Sequence, residues 1–325
     1  MSELALAAFA AETGSHVVRP PQGERFRRFA QRFDEPAFRE QLASLRIRWT
    51  GRSAAGFPRA LGAIFDPPAG IFVRGEAPLE LLDRPCVALV GARSCSPYGA
   101  HVARAFGREL AAAGLVVVSG LARGIDGEAH RGALEAGGET VAVLGCGIDR
   151  DYPAAHAELA RRIAATGPIV SEYAPGVEPA PWRFPARNRI IAGLTAATVV
   201  VEARERSGAL ITADLALEEG REVMTVPGEI TSSLSAGTNR LLRQGATAAT
   251  SAADVLEAFG LEPAAAEPAQ VGPDAERVLT RLREGPCAVD ELARALELDA
   301  GRLAAALAEL ELAGAVSEAA GLYRA

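Results

Sequence analysis

Three arginines lie close together in the segment WRFPARNRIIAGL (182–194) of a chain that contains no lysine: Arg183, Arg187 and Arg189. A guanidinium group carries a planar fork of N–H donors, which matches the oxygens of phosphates and carboxylates. Arg187 and Arg189 begin a predicted helix two residues apart, so they should point to different sides, and Arg183 precedes them on a loop bounded by proline. This arrangement favours a pocket that surrounds an anion, and not a charged stripe.

Neighbouring residues leave two other interpretations open. The arginines could pair with acidic side chains such as Glu172 and Glu178. Trp182 offers a surface on which a nucleobase could stack, although a single aromatic residue is as often part of a core. The anion site therefore needs support from the rest of the chain.

The missing residue types exclude several classes of enzyme. Without lysine the chain has no Walker A loop and no Schiff-base or pyridoxal-phosphate chemistry. The four histidines form no H-E-x-x-H motif, and the four cysteines form no C-x-x-C pair. The cysteines, which we expect to be buried thiols of a reduced compartment, are Cys86, Cys95, Cys146 and Cys287. The sequence therefore predicts neither a metal site nor a disulfide.

Charge is distributed unevenly along the chain. The formal net charge is −7, and residues 261–325 hold six arginines against twelve acids, whereas residues 1–50 hold eight arginines against six acids. A surface that is acidic overall repels nucleic acid, so any nucleic-acid site has to be a local patch of arginines. The sequence shows no basic N-terminal region followed by a long apolar block, so we expect a cytoplasmic protein.

From Cys86 onward, short β-branched runs alternate with amphipathic segments, which is typical of a parallel sheet with crossover helices. The predicted strands are 86–90, 115–119, 140–144, 168–172, 197–202, 222–226 and a short run near 246–249. The predicted helices lie near 99–113, 126–137, 153–165, 187–194, 208–219 and 237–244. We therefore expect the α/β class, with a doubly wound and mostly parallel sheet.

Composition divides the chain into further parts. An Ala/Pro/Glu-rich linker at 261–273 precedes three helices and a short strand pair in residues 274–325, which is typical of a winged-helix domain. Residues 56–260 would form the α/β domain, and residues 1–55 a short N-terminal helical segment. The aromatic residues expected to pack that segment are Phe26, Phe29, Phe33 and Phe38.

The loops after the predicted strands are rich in glycine, hydroxyl groups and arginine. Six of them read GARSCSPYG, SGLARGIDGEAH, GCGIDRDYP, WRFPARNR, EARERSGALIT and PGEITSSLSAGTN. In a doubly wound sheet ligands bind beyond the carboxyl ends of the strands, and helix N-termini there favour anions. The loops predict a phosphate-binding crevice with Arg93, Arg123, Arg187 and Arg189 among its donors. None has the G-x-G-x-x-G fingerprint, so no dinucleotide cofactor is expected.

Three acids near the strand ends could serve in catalysis: Asp126, Glu172 and Glu202. Acids in such places more often cap helices or pair with arginine. No Ser/His/Asp or Cys/His set lies in credible positions beside them, so we assign no catalytic residue.

Four long motifs follow one another along the chain: SGLARGID followed by AH (119–130), FPARNRIIAGL (184–194), VVVEARERSGALITADLALEEGREVMTVPG (199–228) and GTNRLLRQGA (237–246). Together they resemble the DNA-processing protein A family (DprA/Smf). GARSCSPYG (91–99) and FPRALGAIFDPPAGIFVRG (57–75) are similar to further family segments. The resemblance spans roughly residues 55–260, and the winged helix matches a C-terminal module that many members carry.

The resemblance implies an extended Rossmann-like domain that binds single-stranded DNA independently of sequence and forms a homodimer. It also implies a protein of natural transformation and recombination that protects incoming strands and loads the RecA recombinase, without enzymatic turnover or cofactor. By motif position, the residues expected in the DNA pocket are Arg123, Arg187, Asn188, Arg189 and Arg183. Those expected to frame phosphates are Gly91, Arg93, Ser119 and Gly120. Gly237, Thr238 and Asn239 also match by motif.

This chain departs from the family pattern at two places, and its winged helix is unusual. Family members often have lysine near the position of Arg183, and residues 1–50 show no helix-hairpin-helix signature. The third predicted helix of the winged-helix domain, GRLAAALAELELAG, carries one arginine, Arg302, and two acids. Because this acidic domain would repel a duplex, we predict that it serves as a protein-contact or regulatory module.

Two functions of other classes compete with DNA binding. A hydrolase of nucleoside monophosphates from the lysine-decarboxylase-like (LOG) superfamily would have a similar phosphate loop. That loop needs a glutamate shortly after its glycines, where this chain has Ala213 and Asp214, so the catalytic acid is missing. A structural adaptor acting only through the winged helix would leave the arginines at the strand ends without a role.

Overall fold

The computed structural model describes residues 2–13, 23–262, 271–313, 315–319 and 321–325. By internal contacts the chain divides into two compact units, Met1–Ala264 and Ala265–Ala325. Most of the predicted linker lies outside the described residues. None of the helices in the described ranges combines the length and the apolar character needed to cross a membrane.

The first unit is built on a nine-stranded sheet. Its strands are β1 (Ile47–Gly51), β2 (Gly70–Arg74), β3 (Cys86–Val90), β4 (Val116–Ser119), β5 (Thr140–Val143), β6 (Ile169–Ser171), β7 (Ala197–Val200), β8 (Glu222–Thr225) and β9 (Thr247–Ala248). Its helices are α1 (Glu3–Thr13), α2 (Glu24–Arg32), α3 (Glu35–Ser44), α4 (Arg59–Gly62), α5 (Pro97–Ala112), α6 (Ile125–Glu135), α7 (Ala157–Thr166), α8 (Arg183–Leu194), α9 (Gly208–Glu218), α10 (Ala236–Arg243) and α11 (Ala252–Ala258).

The strand order is β1-β2-β6-β5-β4-β3-β7-β8-β9. Strands β3 to β9 are parallel to their neighbours among these seven, whereas β2 is antiparallel to both β1 and β6. The chain passes outward from β3 to β6 and then returns to place β7 on the other side of β3. The order therefore reverses between β3 and β7, and the predicted doubly wound, mostly parallel fold is confirmed.

The central strand β3 is buried on both faces, as its continuous apolar sequence predicts. Alternate residues of a strand point to opposite faces, so Cys86 and Ala88 pack into the core beneath α8 and α9. Val87 and Leu89 pack into the core beneath α5 and α6. The two cores hold the strand ends in fixed positions, and the loops that leave those ends carry the candidate site.

The start of α8 and the strand β1 are among the elements that differ from the prediction. Helix α8 begins at Arg183, and not at Arg187, so Arg183 is its first residue and not part of a loop. Pro185 is tolerated there because the N–H groups of a first helical turn have no partner within the helix. Strand β1 lies in the segment 1–55 that we expected to be helical. At the sheet edge it buries few side chains, so IRWTG lacks the apolar run of an inner strand.

The predicted aromatic packing of the N-terminal helices is present. Ring centroids lie 5.5 Å apart for Phe29 and Phe33 and 5.4 Å apart for Phe33 and Phe38. Phe26 is buried, and its ring meets that of Phe9 edge to face at 5.3 Å. These contacts build a small apolar cap from α1, α2 and α3.

The second unit has the helices and strands of a winged helix. Its helices are α12 (Pro273–Arg283), α13 (Val289–Leu296) and α14 (Ala300–Leu312). Its strands are β10 (Cys287–Ala288), β11 (Ser317–Ala319) and β12 (Leu322–Arg324), in the antiparallel order β10-β12-β11. Val278, Leu292 and Leu303 are completely buried at the centre of its own core.

Candidate nucleic-acid interface

A pocket of about 540 Å³ opens beyond the carboxyl ends of the parallel strands. It is lined by loops that follow β3 and β7, the two strands between which the sheet order reverses, and by loops that follow β4, β5 and β6. A crevice forms at such a position because the connections on its two sides leave the sheet in opposite directions. Site residues that are far apart in the sequence are therefore brought to one edge of the sheet.

Arg187 is buried in the floor of this pocket, with 4% of the residue exposed. Its Nη1 donates to the carbonyl oxygens of Gly120, at 3.0 Å, and of Val143, and its Nε donates to Asn188 Oδ1 at 3.3 Å. Burial lowers the pKa of Arg187 to about 10, so the side chain remains charged at neutral pH. All three hydrogen-bond partners are neutral oxygens, and the anionic group that acts on Arg187 from nearby is the carboxylate of Asp126.

Asp126 lies beside Arg187 and also lines the pocket. Its Oδ2 accepts a hydrogen bond from the N–H of Ala122 at 3.3 Å. The Asp126 carboxylate is therefore already hydrogen-bonded to the loop between β4 and α6. A Cβ on Gly120 would lie 2.5 Å from Arg187 Nη2 and 2.6 Å from Asp126 Oδ2, so a larger residue would displace one of these two side chains. Burial raises the pKa of Asp126, and the charge of Arg187 opposes that shift.

The mouth of the pocket combines a cation with two aromatic rings. The Arg93 guanidinium lies 4.9 Å from the centroid of the Phe184 ring, and Phe184 stacks on Tyr152 at 5.5 Å. Arg93 and Tyr152 are both exposed, so a ligand can reach them. Sequence reasoning missed Phe184 and Tyr152, although aromatic residues in two successive strand-end loops were the available signal.

The other two arginines of the 182–194 segment do not line the pocket. Arg189 makes a two-pronged ion pair with Glu172, at 2.8 and 2.7 Å, and a further contact with Asp66 Oδ2 at 3.2 Å. Arg183 donates to the carbonyl oxygen of Glu178 and lies over aromatic rings. The three arginines thus diverge, and the interpretation of pairing with acids applies to Arg189.

The remaining predicted residues near the strand ends have varied positions. Gly91 and Asn188 line the pocket, and Asn188 Nδ2 donates to the carbonyl oxygen of Gly208 at 3.2 Å, which joins α8 to α9. Arg123 is exposed but is not a lining residue. Ser119 is fully buried, and its hydroxyl donates to Leu89 O at 2.6 Å.

The GTN motif holds a neighbouring loop and does not line the pocket. The N–H of Gly237 donates to Ala203 O at 2.7 Å. The Asn239 side chain donates to Gly228 O at 3.0 Å and accepts the N–H of Gly228 at 3.2 Å. Thr238 is buried, with its hydroxyl bound to Ser235 O. These residues fix the loop that follows β8.

The acids considered for catalysis are engaged in structural contacts. Glu202 accepts two hydrogen bonds from Ser96 at the start of α5, Glu172 pairs with Arg189, and Asp126 accepts from Ala122. In the described ranges no group of three or more His, Cys, Asp or Glu side chains is arranged to hold a metal ion. The site offers a buried cation, an exposed cation and stacked rings, which together suit a nucleotide chain with an unstacked base.

Comparison with known families agrees with this arrangement. The sequence model of the family described as DNA recombination-mediator protein A matches residues 49–260. The model described as the DprA winged helix domain matches residues 262–321.

Individual relatives are similar over most of the chain. DNA processing protein DprA of Streptococcus pneumoniae is 47% identical over 207 residues, which is 62% of this chain and 71% of that protein. Protein Smf of Escherichia coli is 40% identical over 279 residues, 82% of this chain and 74% of that protein.

Two solved structures share the fold. The X-ray structure of DNA processing protein A from S. pneumoniae has a TM-score of 0.68 at 37% identity and covers 78% of this chain and 92% of that one. The structure of DNA processing protein A from Helicobacter pylori, described for its single-stranded DNA binding mode, has a TM-score of 0.59 at 30% identity. It covers 65% of this chain and 95% of that one.

Proposed function

The chain belongs to the DNA recombination-mediator protein A (DprA/Smf) family, and from that premise we propose that it binds single-stranded DNA without sequence preference at the pocket described above. We further propose that it protects incoming strands and loads the RecA recombinase onto them in the cytoplasm, during natural transformation and recombination. RecA and a second copy of this chain are the proposed protein partners.

One observation carries the proposal of DNA binding: the charge of Arg187, buried among neutral oxygens at the floor of an open pocket. The Asp126 carboxylate beside Arg187 offsets part of this charge but makes no hydrogen bond to it, and a bound phosphate would supply an anionic hydrogen-bond acceptor. Arg93 adds a second cation at the mouth. The N-terminus of α9, at Ser207 and Gly208, adds backbone donors to the same wall.

The same pocket favours a single strand over a duplex. Its aromatic rings, Phe184 and Tyr152, lie in a concave wall that also contains Pro179 and Pro181. An unstacked base of a flexible strand can enter such a pocket, whereas a base inside a duplex cannot. Phosphate contacts and ring stacking carry little sequence information, so binding should be independent of sequence.

We propose that this function needs no catalytic turnover and no cofactor. Asp126, which lines the pocket, and Glu202, which holds the loop of Arg93, both accept hydrogen bonds from backbone N–H groups. Among the described residues neither acid is hydrogen-bonded to a histidine that would pair with it in acid–base catalysis.

The winged helix, at residues 274–325, is proposed to contact protein and not duplex DNA. Arg302, the arginine of α14, makes a two-pronged pair with Asp274 at 2.8 and 2.6 Å. A recognition helix needs unpaired cations for the phosphates beside the groove, and α14 offers none among its described residues.

The proposal is tested by titrating fluorescent single-stranded and duplex oligonucleotides with the purified protein. Fluorescence anisotropy measures the affinity at several salt concentrations. If about three phosphates are neutralised, the slope of log affinity against log salt should be about −2 on single strands. Equal affinity for duplex and single strand, or no binding to either, would contradict it. Release of free base from nucleoside monophosphates would then favour the alternative hydrolase.

A further inference from the structure

Glu202 anchors both ends of the loop that carries Arg93. The N–H of Ala92 donates to the carbonyl oxygen of Glu202 at 2.7 Å. The N–H and the hydroxyl of Ser96 donate to the carboxylate of Glu202 at 2.7 and 2.6 Å. Arg93 lies between these two attachment points. Glu202 can reach both because β7, which precedes it, is the direct neighbour of β3 in the sheet.

The loop closes tightly over this glutamate. A Cβ on Gly91 would lie 2.9 Å from Glu202 O, and a Cβ on Gly99 would lie 2.9 Å from Glu202 Oε2. Ser96 in turn accepts the N–H of Gly99 at 3.0 Å and so caps α5. The carboxylate thus fixes the end of the loop and the start of the helix together.

The charge of Glu202 has no cationic partner among the described residues. The residue is 4% exposed, and its carboxylate accepts hydrogen bonds from the N–H and the hydroxyl of Ser96 at the N-terminus of α5. That helix end carries a partial positive charge, which stabilises the carboxylate. In a dinucleotide-binding fold the same helix end holds a ligand phosphate. In this protein the Glu202 carboxylate already occupies that helix end. Arg93 is therefore the group of this loop that can bind a phosphate.

We propose that Glu202 is a positioning residue, whose carboxylate holds Ser96, at the far end of the 92–96 loop, so that Arg93 stays over the Phe184 ring at the pocket mouth. The inference rests on the proposed binding of single-stranded DNA at this pocket. Glu202 does not touch the DNA. It acts by limiting the positions that the Arg93 guanidinium can take, which lowers the entropy lost when a phosphate binds.

A double-mutant cycle tests this role through DNA affinity. Glu202→Ala should weaken binding of a mixed-sequence single strand about fivefold, and Glu202→Gln, which keeps an acceptor for the Ser96 N–H, should restore most of that affinity. In an Arg93→Ala background, Glu202→Ala should cause little further loss. In an Arg187→Ala background the losses of affinity from Arg187→Ala and from Glu202→Ala should multiply. Arg187 is held by the carbonyl oxygens of Gly120 and Val143, and not by the loop that Glu202 anchors.

A second measurement reports the loop without DNA. Cys95 lies within the loop and is partly exposed, whereas Cys86, Cys146 and Cys287 are buried. Its alkylation by a small maleimide should be several times faster in Glu202→Ala than in Glu202→Gln. Burial and then the charge of Glu202 raise the pKa of Cys95, and both variants remove that charge. The ratio of their rates therefore reports the anchoring alone.

The outcomes separate this inference from the proposed function. If Cys95 is alkylated faster in Glu202→Ala but the wild type does not bind DNA, the anchoring of the loop by Glu202 is supported and the proposed function is overturned. Equal alkylation of the two variants, or an undiminished loss in the Arg93→Ala background, would overturn the positioning role. If Glu202→Ala does not fold, Ser96→Ala replaces it, with the same dependence on Arg93 expected.

Discussion

The pocket of the first unit and the helix α14 of the second unit use arginine in opposite ways. Arg187 donates to the neutral oxygens of Gly120, Val143 and Asn188, so its charge is not cancelled by its hydrogen-bond partners. Arg302 is paired on both prongs with Asp274. What separates the two arginines is the partner of each cation, which decides whether its charge can act on a phosphate.

The largest effect expected from this comparison is on Arg187. Arg187→Ala should weaken binding of single-stranded DNA by roughly 10- to 100-fold, because a hydrogen bond to a charged group contributes about 1.5–3 kcal/mol. Anisotropy below the unfolding temperature of each variant measures the loss. Arg189→Gln is the matched control, since this buried arginine two residues away is paired with Glu172 outside the pocket. It should lower stability and leave affinity nearly unchanged.

The two units should also differ in their response to acid. Burial lowers the pKa of His130 to about 3, below its usual value, so the unfolded state binds the proton more readily. The stability that neutral His130 contributes is therefore lost as the pH falls from about 6.5 toward 3. The sequence of the second unit has no histidine. The Arg302 contact lowers the pKa of Asp274, so that contribution is lost only below about pH 4.

Segment-resolved hydrogen exchange of the full chain at pH 7, 6 and 5 checks this difference. Amides of β4 and α6 should lose protection before those of α12 and α14. If protection from exchange is lost in both units at the same pH, or first in the second unit, His130 does not set the response of stability to acid.

A smaller effect is expected at the mouth of the pocket. Arg93→Ala should weaken binding of single-stranded DNA about fivefold and flatten the salt dependence by about 0.7, the contribution of one phosphate. Anisotropy titrations across a salt series measure both quantities. Arg123→Ala provides the comparison on the same edge of the sheet. Because Arg123 is exposed and does not line the pocket, Arg123→Ala should reduce DNA affinity less than Arg93→Ala does.

The smallest effect is expected in the winged helix. Arg302→Ala should change neither single-strand nor duplex affinity, and it should cost little stability, as expected of an exposed ion pair. The more informative change is Asp274→Ala, which releases Arg302 from its pair. If duplex binding then appears, the pairing with Asp274 is what blocks recognition by α14. If none appears, the acidic charge of the whole domain is sufficient.

The sequence by itself determined the class of fold and the edge at which the site lies. Apolar runs such as Cys86–Val90, buried on both faces, indicate parallel strands, and their order places all the glycine-rich and arginine-rich loops at the carboxyl ends. Long motifs at 119–130 and 184–194 also indicated the family. These features are local or periodic, so they can be read along the chain. The edge strand β1 lacks such a pattern, and only the structure revealed β1 and its neighbour β2.

Only the tertiary structure decided which arginine serves the pocket. Arg183, Arg187 and Arg189 have the same chemistry and nearly the same position in the sequence. The earlier start of α8 sets the direction of each side chain, and the partner that each one meets comes from a distant segment: Glu172 for Arg189 and Gly120 for Arg187. The role of Glu202 depends in the same way on the pairing of β7 with β3. Sequence spacing cannot show whether a charge is already paired, because pairing is a property of space and not of chain order.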